Sequence, residues 1–110
     1  MEAQPQYARA LKRLRAECGD WPGVDETTGW GNPTFEVGGK AFAVLDRYQG
    51  HYCIWVRCRP ERREALLEQK FYVPAPYDRK KQAVCRILDR MDWKKFRDVL
   101  RESYESVMPG

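Results

Sequence analysis

Apolar side chains recur at helical spacing near both ends of the chain and in short strand-like runs between them. Tyr7, Leu11, Leu14 and Cys18 fall on one stripe and predict a helix over residues 4–18. Arg9, Lys12 and Arg13 lie off that stripe, and Gly19 follows as a terminating glycine able to take a left-handed conformation. At the other end Trp93, Phe96, Val99, Leu100, Tyr104 and Val107 predict a second long helix, with Asp92 placed to cap its first turn. Between the two, Thr34 to Val37 and Ala41 to Asp46 flank Gly38-Gly39, which predicts a tight hairpin. Tyr52 to Cys58 continues the meander after Gln49-Gly50. Pro60 opens a short helix through about Gln69 that carries Leu66 and Leu67. Phe71 to Val73 is briefly extended before Pro74-Ala75-Pro76 forces a turn, and Val84 to Leu88 is the last strand. The order helix, three strands, helix, strand, helix predicts an α+β fold in which an antiparallel sheet packs against helices. Residues 19–33, rich in Gly and Pro, read as one long connection that is either functional or packed by its own Trp21 and Trp30.

The chain has 110 residues, of which 43% are apolar, 13% aromatic and 33% charged, so residues 1–110 form a single domain with no repeat or linker. The aromatic content excludes a disordered chain. No charge-free apolar run is longer than Ala41 to Leu45, far too short to span a bilayer. The first twenty residues carry Arg9, Lys12, Arg13 and Arg15 and no apolar core of signal-peptide length, so a cytoplasmic protein is expected. Cys18, Cys53, Cys58 and Cys85 then read as free, mostly buried thiols rather than a disulfide framework. No tight Cys or His pair suggests a metal, and no cofactor motif is present; Gly29-x-Gly31 leads into Pro33 and a strand, whereas a phosphate loop opens onto a helix.

Net charge is +4, but its distribution matters more than its total. Residues 79–97 hold eight basic side chains against Asp89 and Asp92, whereas the rest of the chain holds twelve basic and fourteen acidic ones. A local excess of this kind is either a solvated face of alternating charge or an electrostatic footprint for an anionic partner.

The stretch Glu26-Thr27-Thr28-Gly29-Trp30-Gly31-Asn32-Pro33-Thr34-Phe35, followed by Val37, Gly38, Gly39, Lys40 and Phe42, resembles the MmcQ/YjbR family. The resemblance resumes at Phe71 to Tyr77 and Leu88-Asp89, ends around Ser103 to Val107, and covers about residues 5–108. One departure is Ala83-Val84, where the family has Gly-Trp. The resemblance implies a fold similar to that of the frataxin-like CyaY proteins and a DNA-binding role. Iron handling, which in such folds uses an acidic first helix, is disfavoured by Arg9, Lys12, Arg13 and Arg15.

Together these features predict a nucleic-acid-binding protein without catalytic activity, acting through Lys40, Arg79, Lys80, Lys81, Lys94 and Lys95. Lys40 is the family-matched position among them. The rival reading is a protein-interaction or small-ligand module that uses the 19–33 loop, with Glu26, Thr27, Trp30 and Pro33 as its candidates. Trp30 and Phe35 are either base-stacking platforms or core aromatics. A catalytic reading has only the lone His51 and the adjacent carboxylates Asp25 and Glu26 to draw on. No copy number follows from the sequence.

Overall fold

Two tight turns organise the middle of the molecule. Gly38 and Gly39 have φ of 57° and 82°, and Gln49 and Gly50 have φ of 50° and 83°. Paired left-handed residues of this kind match the twist of antiparallel strands. A computed structural model describes residues 3–28 and 31–109. In chain order the elements are α1 (Ala3–Cys18), β1 (Val24–Thr27), β2 (Thr34–Val37), β3 (Lys40–Tyr48), β4 (His51–Arg57), α2 (Pro60–Leu67), β5 (Tyr72–Pro74), β6 (Ala83–Ile87) and α3 (Trp93–Val107). The six strands form one sheet in the order β1-β2-β3-β4-β6-β5, antiparallel throughout.

The α+β architecture agrees with the sequence expectation, and the differences have physical causes. Residues 19–33 are not one connection, because β1 lies within them. Of its four residues Val24, Asp25, Glu26 and Thr27 only the first is apolar, so this exposed edge strand shows no alternation to read. The extended stretch at Phe71 to Val73 becomes the three-residue edge strand β5. Gly19 ends α1 for a reason other than a left-handed φ: a Cβ there would lie 2.5 Å from the Arg15 carbonyl oxygen. Asp92 does cap α3, its side chain accepting a hydrogen bond from the Lys95 amide at 3.2 Å.

All three helices contribute to one core. Ala10, Leu14 and Cys18 of α1, Leu66 of α2, and Phe96, Val99, Leu100 and Tyr104 of α3 cover Phe35, Leu45, Ile54, Val56 and Val84 of the sheet. Trp21 stacks on Phe42, with centroids 6.3 Å apart, and tilts against Tyr104 at 4.9 Å, so it does pack its own loop. On the second face of the sheet Thr34, Val44, Trp55, Cys85 and Val73 stand side by side in register. Only a small cluster of Cys53, Ala75, Ala83 and Cys85 is buried there, and no helix covers it among the described residues.

One buried side chain splices helix to sheet. The β2–β3 register slips between Phe35 and Glu36, which leaves Phe42 as the extra residue of a bulge. The β3–β4 ladder ends at Ala43 and Val56, and one step beyond stand Phe42 and Arg57. The Ser103 hydroxyl sits between these two: it donates to the Phe42 carbonyl at 2.5 Å and accepts from the Arg57 amide at 2.8 Å. Ser103 is fully buried. Ser103→Ala therefore strands a buried carbonyl and a half-buried amide, at a cost of about 2 kcal/mol. A urea titration should show a lower midpoint with unchanged slope, and an unchanged midpoint would show that the bridge carries no load.

Candidate nucleic-acid interface

Cations do converge, at a place only partly anticipated. A groove of about 610 Å³ runs between α1 and the segment that joins β6 to α3. Its rim carries Arg9, Lys12 and Arg13 from α1 and Arg90 from the joining segment. The first three are spaced three and four apart, so one face of the helix presents them together. Ala10, Leu88, Met91 and Trp93 give it an apolar floor, with Ala16 at the exposed edge, and no carboxylate among the described residues lines it. The Gln6 side-chain amide donates to the Leu88 carbonyl and ties α1 to the joining segment.

Arg90 is presented by Arg86, another of the eight basic residues of segment 79–97. Arg86 is 7% exposed and sits 4.8 Å from the Phe71 ring centroid. Its guanidinium donates to the carbonyls of Ile87 at 2.5 Å, Asp89 at 3.0 Å and Arg90 at 3.3 Å. Those three bonds fix a turn in which Arg90 takes a φ of 50°. Arg86 is thus spent on backbone oxygens, and burial lowers its pKa from the usual guanidinium value. It positions a cation rather than offering one.

Glu17 sets the boundary of the basic zone. It accepts from Arg97 at 2.6 Å and from Arg13 at 3.1 Å, joining α3 to α1. The hydrogen bond from Arg97 is the main cause that holds its carboxyl below the usual range, with Arg13 adding to it. Arg13 also lies over the Trp93 ring at 5.6 Å. Arg9, Lys12 and Arg90 form no ion pair with another described residue.

The six cations singled out from sequence fall into separate regions. Lys94 and Lys95 are exposed on the first turn of α3, directly after Trp93, at the groove end of the sheet. Lys40 opens β3, and Arg79, Lys80 and Lys81 precede β6, both at the opposite end. The five residues of β6 separate the two ends by roughly 17 Å. Lys81 shares a small cleft with Glu61 and Glu64 of α2. Lys94 and Lys95 thus stand on the turn that follows Trp93 without lining the groove, and Lys40 and residues 79–81 lie away from it. Arg9, Lys12, Arg13 and Arg90 were missed as site residues. For the first three the signal was the off-stripe spacing on the first helix, which a count of charge per segment does not register; Arg90 was counted within residues 79–97, but nothing in the sequence set it beside α1.

The loop candidates disperse as well. Glu26 is bound by Arg15 of α1 through two contacts, at 2.8 and 2.7 Å, and that pairing lowers its carboxyl pKa. Thr27 lies on the open face of the sheet, in register with Thr34. Pro33 is buried, its carbonyl accepting from the Leu45 amide at 2.9 Å, and Trp30 lies outside the described residues. Phe35 is wholly buried and belongs to the core. His51 is exposed at the start of β4. The four cysteines are free; burial pushes Cys18 up to about 12 and Cys58 up to about 11, which keeps both as thiols at neutral pH.

Three helices on one face of a six-stranded antiparallel sheet define a small α+β domain with one covered and one open face. A Deinococcus radiodurans protein with the domain DUF419 has a similar structure, with a TM-score of 0.77 and 26% identity over 88% of this chain and 77% of that one. A Pseudomonas syringae protein is similar in fold, with a TM-score of 0.76 and 13% identity over 88% of this chain and 97% of that one. The YjbR family model matches residues 19–106, and the chain belongs to the YjbR family. Among curated proteins none matches.

The lowered Glu17 pKa has a stability consequence of definite sign. A depressed carboxyl pKa contributes stability above the ordinary value of 4.5, and that contribution is lost as pH falls through the folded-state value. Glu17→Gln should lower Tm by a few degrees at neutral pH, with the gap closing once the pH drops well below 4.5. Melting curves across that range check it, and a gap independent of pH would show that the carboxylate is not what matters.

Proposed function

We propose that this protein binds nucleic acid through the groove between α1 and the β6–α3 segment. The observation that carries the reading is the meeting of Arg9, Lys12, Arg13 and Arg90 around an apolar floor that no carboxylate lines among the described residues. Lys94 and Lys95, exposed on the first turn of α3, add positive charge at the same end of the sheet. Phosphates are held chiefly by such cations, at some distance and without demanding geometry. Trp93 supports a further element, because a half-buried indole on the floor offers an apolar surface to a base or sugar. Two facts support binding over catalysis: Glu26 is engaged by Arg15, and His51 is exposed beside a turn. Lys40, Arg79, Lys80 and Lys81 then take no part in the main footprint.

Fluorescence anisotropy with a labelled oligonucleotide of about twenty nucleotides, single-stranded and duplex, tests the reading. We expect a Kd of roughly 1–100 µM at low salt, falling off with a slope of about −3 in log K against log salt when four cations are engaged. Arg9→Glu with Lys12→Glu should weaken binding at least about tenfold, whereas reversal of Arg79, Lys80 and Lys81 should change it by less than about threefold. The opposite ranking moves the footprint to the other end of the sheet, and no binding at low salt removes the proposal.

A further inference from the structure

The open face of the sheet carries a second, larger groove of about 820 Å³ with the opposite electrical character. It crosses β1 to β4, from Thr27 and Asn32 over Val44 and Trp55 to Tyr77. Its lining holds two carboxylates and one cation, Arg47. Glu36 and Asp46 line it, and Asp25 stands beside Glu36 in the β1–β2 register. Asp46 is fixed by the Asn32 side chain at 3.2 Å and the Arg47 amide at 2.6 Å. The Arg47 guanidinium lies over the Tyr52 ring at 5.6 Å and forms no ion pair with these acids.

Aromatic rings stand among the acids. Trp55 and Tyr48 are half-buried in the wall, and Tyr77 at the rim is fully exposed, at 101%. Tyr77 is held there: its φ is 59°, and the next residue, Asp78, accepts from the amides of Gln82 and Ala83, both at 2.9 Å. A large ring anchored in solvent on a pinned turn does nothing for the core. The face also shows what chemistry it accepts. Arg57 lies 5.5 Å from the Trp55 ring centroid while its Nε donates to the Ala41 carbonyl at 2.6 Å. An arginine on this surface finds an indole and a strand carbonyl together.

We propose that this groove docks an extended, Lys- or Arg-bearing segment of a partner protein. Carboxylates and rings complement such side chains, and the groove's course across four strands suits an extended peptide better than a small free cation. The same carboxylates repel a polyanion, so this site is separate from the basic groove on the helical side and does not depend on nucleic-acid binding there.

The test uses the full chain and a fluorescein-labelled peptide alternating Arg with Ala, with a peptide alternating Glu with Ala as control. Saturable binding of the Arg peptide alone is expected, weakening with salt. Glu36→Lys and Trp55→Ala should each weaken it at least about tenfold, and the milder Glu36→Gln, which leaves packing intact, by about threefold. Arg9→Glu with Lys12→Glu should leave it unchanged. The proposal is overturned by absence of saturable binding, by equal binding of the Glu peptide, or by indifference to both Glu36 variants. Sedimentation without peptide that shows self-association abolished by Trp55→Ala also overturns it, because a second copy would then be the occupant.

Discussion

The helical layer is keyed to the sheet by the Ser103 hydroxyl, which stands in for a strand-to-strand bond between Phe42 and Arg57. A bulge normally frays the ladder at its edge, leaving buried polar groups that cost stability. Here the helix repairs it, and in doing so fixes its own register. With Ser103 pinned, Tyr104 reaches the Pro22 carbonyl at 2.6 Å, Arg97 meets Glu17 of α1, and Trp93 arrives at the floor of the basic groove. A one-residue slide of α3 would break all of these together.

The consequence is a molecule with two unlike sides. Helices put apolar stripes on one face of the sheet and turn their charged residues outward, where cations from α1 and the β6–α3 segment meet. The other face keeps an uncovered strand surface of aromatic and acidic residues. Neither character shows in the overall charge of +4, which averages them. Buried cations contribute by positioning: Arg86 holds the turn that presents Arg90, and Arg63 pairs with Asp78 at 3.7 Å beneath the turn that presents Tyr77.

How much of this was legible follows from the kind of signal each element carries. The terminal helices, the Gly38-Gly39 hairpin and the Asp92 cap follow from local rules, because periodicity, left-handed turns and capping need only neighbouring residues. β1 was not legible, since Val24-Asp25-Glu26-Thr27 is an edge strand specified by its partner. The basic groove was half legible: Arg9, Lys12 and Arg13 lay off the apolar stripe and Arg90 lay in the basic run, but Arg90 reaches the α1 cations only through the packing of α1 against the turn after β6. Arg86 shows the limit most plainly. Its position in a basic segment marked it as surface charge, and three carbonyls 87–90 claimed it instead. Glu26, Thr27 and Pro33 are near in sequence yet point to α1, the open face and the core, because alternate strand residues part company.

The most direct measurement is chemical-shift mapping of the amide and indole resonances while an oligonucleotide is titrated into the protein. The account predicts that Arg9, Lys12, Arg13, Arg90 and the Trp93 indole shift together and saturate together, while Trp55, Tyr77 and Lys40 stay still. Shifts confined to Arg79, Lys80 and Lys81, or centred on the Trp55 face, would contradict it.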